Sequence, residues 1–310
     1  MKHIGVIGVG GVGGYFGGKI AQVQEEISGI QVHFIARNEH LRAIQKHGLI
    51  LDTEEGEMIC RPASVTDSIG DLPALDLCLV CVKSYSLETI LPLLRPKIHS
   101  TTVILPLLNG VDIYERIRQV IPDGIVFPAC VYVGTHIEEP GRVKQRGGAC
   151  TIHFGKDPRY DYSDPEIFDL LQKAGINYVW YDDPYPEIWS KFIFIAAFGL
   201  VTARYDRTIG EVLESEELRE NARKIMLEIY EIAKAKKINL PETIIEDSLN
   251  KGRKFPFETK TSFQRDFEKK DKPDERDIFG GAVIRMGEAL GVDTPAAEEI
   301  CQILDTQKSL

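Results

Sequence analysis

The segment HIGVIGVGGVGGYFGG near the N-terminus constrains the fold more than any other part of the chain. A short apolar strand runs directly into Gly8-x-Gly10-x-x-Gly13, and a helical stretch follows. Positions 8–18 hold seven glycines. Glycine inside a helix costs about 1 kcal/mol relative to alanine, so that density needs a physical reason. A tight turn at Gly8, close backbone approach to an anion at Gly10 and close helix–strand packing at Gly13 provide one. The helix N-terminus aims backbone N–H groups at a pyrophosphate. The motif predicts a dinucleotide cradle at Gly8, Val9, Gly10, Gly11, Val12 and Gly13. A glycine-rich turn that binds no nucleotide leaves the glycines unexplained.

Strand and helix signals then alternate. IQVHFIA (30–36) is a second strand, with a helix from about Glu39. DLCLVCV (76–82) and TTVILPLL (101–108) are further buried strands with helical segments between them, the pattern of a parallel sheet covered on both faces. IVFPACVYVG (125–134) and ACTIHFG (149–155) read as later strands. The EEPG turn and the Gly147-Gly148 pair between them suggest an antiparallel hairpin. After Tyr181 the turn-rich DDPYP (182–186) marks a boundary. Helical patterns follow at about 187–204, 209–237, 241–250 and 277–291, and from 295 to near the end. The expected fold is α/β: a doubly wound Rossmann sheet over residues 1–183, then an all-α domain over 184–310. The charged stretch 251–277 reads as a solvated surface loop.

The formal net charge of −10 and 43% hydrophobic content predict a well-cored acidic protein with no affinity for nucleic acid or an anionic membrane. An anionic ligand must then be met by a few well-placed cations. Cys78 and Cys81 form a C-x-x-C, but on a strand residues three apart face opposite ways, so neither a metal site nor a disulfide is expected. No apolar run approaches the ~18 residues of a membrane span. The longest candidate, Phe192–Ala203, fits a buried helix better. The MKHIGVIGV start lacks a cleavable signal, and a cytoplasmic protein with reduced thiols is expected.

Four polar residues stand out. The second strand ends FIARN, placing Arg37 where dinucleotide sites selective for NAD carry an acid on the ribose 2′-hydroxyl. A guanidinium suits a 2′-phosphate, which predicts NADP(H). Lys83 follows DLCLVCV and Asn109 follows TTVILPLL, at strand ends where ligands gather in an open parallel sheet. The alternative for each is an ordinary loop residue. Lys191 heads the apolar stretch SKFIFIAAFGL. It either snorkels from a helix end or serves as a proton donor.

Taken in order, the glycine loop, ARN at 36–38, VKSY at 82–85, LLNG at 107–110, W-S-K at 189–191, KTS at 260–262 and ERD at 275–277 resemble the 2-dehydropantoate 2-reductase (ketopantoate reductase) family, within the larger 6-phosphogluconate-dehydrogenase-like group. The resemblance covers nearly the whole chain. It implies NADPH-dependent reduction of a 2-oxo acid to a 2-hydroxy acid in pantothenate biosynthesis, by a Rossmann domain followed by a helical domain. It also implies Lys191 as proton donor, with Lys83 and Asn109 at the junction of cofactor and substrate. Ser262 would hold the substrate carboxylate, and Glu275 would contact the nicotinamide ribose or the lysine; Asp277 is the alternative as a helix cap. The long helices of the second domain are candidates for a homodimer interface.

The chain departs from the family pattern at one place. Asparagines expected four and eight residues after the lysine are Ile195 and Gly199, and a third, near Thr208 or Ile209, is also missing. The expectation is a more apolar substrate pocket, roomier at Gly199, for a 2-oxo acid with a bulkier or less polar side chain. Thr202, Arg204 or Tyr205 could instead supply the lost polarity. Loss of turnover, leaving an NADP(H)-binding sensor, is a further reading.

Overall fold

The computed structural model describes residues 1–27 and 29–309. Two compact units divide the chain, Met1–Asn109 with Ile113–Pro184, and Gly110–Asp112 with everything from Tyr185 onward.

The first unit opens with β1 (His3–Ile7), α1 (Gly11–Val23), β2 (Gln31–Ile35), α2 (Asn38–His47), β3 (Leu49–Thr53), β4 (Gly56–Cys60), β5 (Ser64–Thr66) and β6 (Leu75–Val80). It continues with α3 (Leu87–Leu94), β7 (Ile98–Pro106), α4 (Ile113–Val120), β8 (Ile125–Val126), β9 (Ala129–Tyr132), β10 (Thr135–Glu139), β11 (Arg142–Gln145), β12 (Thr151–Gly155), α5 (Pro165–Lys173) and β13 (Asn177–Tyr181). Six strands form an all-parallel sheet in the order β5-β2-β1-β6-β7-β8. The chain winds outward from β1 through β2 to β5, then returns to place β6 on the other side of β1. That reversal is the switch point where doubly wound sheets bind ligands.

The strands read as unbroken apolar runs because both faces are covered. Ile4, Val6, Val32, Phe34, Leu77, Leu79, Val103 and Leu105 are all buried in one core with Phe16 and Ile20 of α1. The helical glycines let α1 lie unusually close to its neighbours. A Cβ on Gly17 would come within 2.8 Å of Val6, and one on Gly14 within 2.6 Å of Val143.

Two smaller sheets depart from the expectation. β9 and β12 do pair antiparallel, but the residues between them form their own hairpin, β10–β11. That hairpin joins β3 and β4 in a four-stranded sheet ordered β10-β11-β3-β4. The β3–β4 hairpin turns at Glu54-Glu55, where Thr53 Oγ1 donates to the Gly56 carbonyl and accepts from Glu55 N–H. The third sheet, β13-β12-β9, carries Phe154, Tyr178 and Trp180, which cluster with Phe127 just before β9 and Phe168 of α5.

The second unit is helical: α6 (Tyr185–Tyr205), α7 (Ile209–Glu214), α8 (Glu216–Ala235), α9 (Ile244–Gly252), α10 (Ser262–Phe267), α11 (Ala282–Leu290) and α12 (Pro295–Ser309). α6 is apolar on nearly every side and so becomes the hub. Trp189, Phe192, Ile193, Ala196, Ala197, Leu200 and Val201 are buried. Its 21 residues reach the length and apolarity of a membrane span, which the run Phe192–Ala203 alone did not suggest. Yet 78% of the apolar window is buried inside the protein, the condition of a core helix.

Two further expectations need correction. The single helix expected at 209–237 breaks at Ser215, which is extended (φ −76°, ψ 119°) and caps α8 by accepting from Leu218 N–H. Thr208 and Glu211 form a capping box on α7. The stretch 251–277 is not wholly solvated either. It contains α10, whose Phe263 and Gln264 are each 1% exposed.

Candidate functional site

In the first unit the sheet's carboxyl edge collects the glycine loop and three more of the expected residues. Ile35, Ile7, Val80 and Pro106 stand side by side in register, closing β2, β1, β6 and β7 on one row. At a strand spacing of about 4.8 Å this row spans about 14 Å. The chain leaves it at Arg37, at the glycine loop, at Lys83 and at Asn109. The ladder continues one step past the row: Val9 N–H donates to the Ile35 carbonyl (2.9 Å), Cys81 N–H to Ile7 (2.9 Å) and Leu107 N–H to Val80 (2.8 Å). The loops are therefore anchored at their roots.

The glycine loop has the form a dinucleotide needs. Gly8 has φ +96°, a conformation strained for other residues. A Cβ on Gly13 would lie 2.2 Å from the Gly8 carbonyl oxygen. At Gly10 the added Cβ would meet nothing within 4 Å, so the space beside the backbone is open. The first helical bond of the loop runs from Gly14 N–H to the Gly10 carbonyl (2.8 Å), leaving the N–H groups of Gly11, Val12 and Gly13 outside the intrahelical ladder. No acidic residue occupies the first turn of α1. These features fit a bound pyrophosphate: room at Gly10, outward N–H groups and no competing carboxylate.

Arg37 is exposed and extended, at the N-cap of α2. The next residue, Asn38, takes φ +53°, left-handed backbone that asparagine tolerates better than most. Lys83 is half-buried and starts a short 3₁₀ turn, its carbonyl accepting from Ser86 N–H at 2.9 Å. Asn109 is half-buried, before Gly110 with φ +127°.

The remaining expected residues lie in the second unit. Lys191 is the seventh residue of α6, two turns inside the helix rather than at its end, and only 8% exposed. Simple snorkelling from a helix terminus does not describe it. Ile195 and Gly199 follow at one-turn intervals on the same side. Ile195 is half-buried and Gly199 buried. The expected room at Gly199 is bounded: a Cβ there would sit 3.5 Å from Cβ and Cδ1 of Phe263, so the ring already borders the space a larger side chain would need. Phe263 in turn packs on Phe279 (5.3 Å between centroids).

Ser262 is exposed at the first position of α10, after the N-cap Thr261. A hydrogen-bond chain fastens this corner to α6. Thr202 Oγ1 donates to the Gly199 carbonyl (3.2 Å), so the 2.9 Å contact between the two threonine hydroxyls has Thr261 as donor. Thr261 Oγ1 then accepts from Gln264 N–H (3.1 Å). Glu275 is 2% exposed, just before a π-turn over Asp277–Gly281, and its carbonyl accepts from Ile278 and Phe279 N–H. Asp277 is exposed and pairs with Arg285.

Sequence reasoning named Thr202 as a replacement for lost asparagine polarity. Its hydroxyl is instead used within the fold, fully buried. Arg204 stacks 5.0 Å over the Tyr205 ring, and the Tyr205 hydroxyl accepts from Asn221 (3.2 Å). Phe263 and the Thr202–Thr261 pair were missed, although Thr261-x-x-Gln264 has the spacing of a helix start. Among the described residues no group of three or more His, Cys, Asp or Glu side chains could hold a metal ion.

A glycine loop at the switch point of a parallel sheet, followed by a helical unit with a buried lysine, defines a dinucleotide-dependent dehydrogenase class of architecture. Comparison with known proteins makes this specific. Sequence models of "Ketopantoate reductase PanE/ApbA" match residues 4–159, and of its C-terminal domain residues 184–308. The chain is 26% identical to the uncharacterized oxidoreductase YkpB of Bacillus subtilis, over 97% of this chain and 96% of that protein. The crystal structure of a 2-dehydropantoate 2-reductase from Porphyromonas gingivalis is 31% identical, with a TM-score of 0.81 over 96% of this chain and 97% of the other. That of a PanE/ApbA family ketopantoate reductase from Ralstonia eutropha is 25% identical, with a TM-score of 0.89 over 99% and 98%. The chain belongs to the ketopantoate reductase family, and it is an oxidoreductase.

Proposed function

We infer that the protein reduces 2-dehydropantoate to pantoate with NADPH, as a step of pantothenate biosynthesis. The observation that carries this reading is the strand-end row, which gathers the glycine loop, Arg37, Lys83 and Asn109 on one edge of the sheet. Residues 1–183 would bind the cofactor and residues 184–310 would supply the proton donor and much of the substrate contact. When bound, NADPH supplies a hydride to the keto carbon. The Arg37 guanidinium would hold the 2′-phosphate, and the N–H groups at the start of α1 the pyrophosphate. The Lys191 ammonium would receive the negative charge growing on the keto oxygen and then protonate it. Lys83 and Asn109 would orient cofactor and substrate, Ser262 would donate to the carboxylate, and Glu275 would contact the nicotinamide ribose or Lys191.

A second reading, reduction of a 2-oxo acid with a less polar side chain, is favoured by Ile195 and by the Phe263 ring beside Gly199. A pocket without hydrogen-bonding groups gives little preference for a hydroxylated substrate. The test follows nicotinamide absorbance with NADPH and a panel of ketopantoate, branched and aromatic 2-oxo acids. The highest kcat/KM with ketopantoate supports the first reading, and a branched or aromatic preference supports the second. NADPH binding without oxidation by any acid would overturn both in favour of a sensor.

A further inference from the structure

The dinucleotide fingerprint accounts for Gly8, Gly10 and Gly13, and Gly17 packs on Val6; Gly11, Gly14 and Gly18 are left over. They fall at i, i+3 and i+7, one stripe along α1. A Cβ on Gly14 would lie 2.6 Å from Val143 of β11, and one on Gly18 would lie 3.3 Å from Cys60 of β4 and from Leu49 of β3. The stripe is therefore the face on which the second sheet, β10-β11-β3-β4, lies against α1. Packing explains Gly14 and Gly18, deeper along the helix. Gly11 differs, because it opens α1 and its N–H is among those outside the intrahelical ladder.

What meets Gly11 is Thr135, the first residue of β10. A Cβ on Gly11 would come 2.8 Å from the Thr135 hydroxyl oxygen and 2.9 Å from its carbonyl oxygen. The hydroxyl oxygen thus lies within about 4.3 Å of the Gly11 Cα, since one carbon–carbon bond adds at most about 1.5 Å. Thr135 is half-buried, and its hydroxyl makes no hydrogen bond among the described residues. The backbone that carries it is fixed. Thr135 pairs with Gln145 across the β10–β11 ladder. Just before it, Gly134 N–H donates to the Gly147 carbonyl (3.2 Å), and the Gly134 carbonyl accepts from Arg146 N–H (2.9 Å). Arg146 Nη2 in turn donates to both carboxylate oxygens of Asp52 in β3 (2.9 and 3.0 Å). A free hydroxyl on a rigid strand therefore borders the first residue of α1, next to the open space beside Gly10.

Resting on the NADPH reading above, we propose that Thr135 is a further cofactor-binding residue, whose hydroxyl donates to a pyrophosphate oxygen held at the start of α1. The N–H groups of Gly11, Val12 and Gly13 meet the anion along the helix axis, and the hydroxyl meets it from the side. A hydroxyl proton rotates to suit its acceptor, and this one gives up no other partner in doing so. The donor stands more than a hundred residues beyond the fingerprint and is brought to it by the Gly11 contact. A side chain at position 11 would displace Thr135, so the glycine there serves the cofactor through the hairpin. Two substitutions isolate the hydroxyl. Thr135→Val keeps the branched shape and removes the donor, whereas Thr135→Ser keeps the donor.

The experiment titrates NADPH into the full-length wild type, Thr135→Val and Thr135→Ser, with thermal unfolding and steady-state kinetics on each. A second titration uses adenosine 2′-monophosphate, which carries the 2′-phosphate but no pyrophosphate. The expected result is a Kd for NADPH weakened roughly ten- to a hundredfold in Thr135→Val, the scale of one hydrogen bond to a charged group, and close to wild type in Thr135→Ser. The loss should appear in KM for NADPH more than in kcat. The 2′-monophosphate should bind all three proteins alike, and the variants should melt within a few degrees of each other. Equal NADPH binding by wild type and Thr135→Val, or equal weakening in both variants, overturns the role of Thr135 and leaves the proposed reaction standing. A parallel loss of the 2′-monophosphate in Thr135→Val also overturns it, because only a displaced loop would weaken both probes. Failure of the wild type itself to bind NADPH overturns the underlying reading, and this proposal with it.

Discussion

The hydroxyl oxygens of Thr202 and Thr261 lie 2.9 Å apart, joining the α6 helix that carries Lys191 to the start of the helix that carries Ser262. Because Thr202 is fully buried, this contact is shielded from water. Replacing Thr202 with valine keeps the shape, removes the donor to the Gly199 carbonyl and leaves the Thr261 hydroxyl without its acceptor. Thr202→Val should cost about 1 kcal/mol, a fall in melting temperature of about 2–4 °C. If Ser262 contacts the substrate carboxylate, KM for the 2-oxo acid should rise several-fold while kcat changes less, and Thr202→Ser should restore both. An unchanged KM alongside the lower melting temperature would confine the pair to stability.

The burial of Lys191 makes it a sharp probe. Lys191→Met keeps the apolar stem and removes the charge. Turnover should fall by about two orders of magnitude or more, the usual contribution of a positioned proton donor, with NADPH affinity nearly unchanged. Retained turnover would leave Lys191 as a packing residue.

Cofactor choice should be decided at Arg37, which is exposed and held extended at the end of its strand. Arg37→Asp replaces an attractive charge with a repulsive one. The ratio of kcat/KM for NADPH over NADH should drop by roughly ten- to a hundredfold, the scale of a charge-assisted hydrogen bond. An unaltered ratio would move 2′-phosphate recognition elsewhere.

Acid should weaken the first unit through His33. Its ring is 7% exposed, with Nδ1 2.8 Å from Ser64 Oγ and Nε2 3.1 Å from His3 Nδ1. Burial, and secondarily the charge of His3, lower its pKa below the usual value of 6.5. The unfolded chain therefore takes up a proton at about pH 6.5 that the folded protein refuses until lower pH. Stability should fall as pH drops from about 6.5 towards the folded pKa, level off below it, and be unaffected by this group above neutrality. Denaturant midpoints measured across this range should slope less in His33→Gln. The same slope in both proteins would exclude His33 as the source.

The first strand, the loop at 8–13 and the parallel character of the large sheet were legible because glycine spacing and continuous apolar runs are local signals with few alternative structures. The β3–β4 hairpin was not recognised, though Gly48 closes the helix before it and Glu-Glu-Gly stands at its turn: both strands are only five residues long, and GEMIC has no clean alternation, so periodicity alone gave no strand signal. The break at Ser215 was written in Thr208-x-x-Glu211 and Ser215, but amphipathic periodicity on both sides disguised it as one helix. Least legible was the surrounding of Gly199. A missing side chain signals room only if nothing else fills it, and the filler, Phe263, comes from more than sixty residues further along the chain. Such contacts are decided by tertiary packing, which no local pattern records.

The in-register row Ile35–Ile7–Val80–Pro106 also has a consequence for how such a protein can change. Lengthening any one of the four loops beyond the row leaves the other three where they are, so new specificities can be acquired one loop at a time. Adding a single residue within a strand is different. It would slide that loop about 3.3 Å out of line and turn its side chains to the opposite face. The sheet thus separates what can be varied freely from what has to stay aligned.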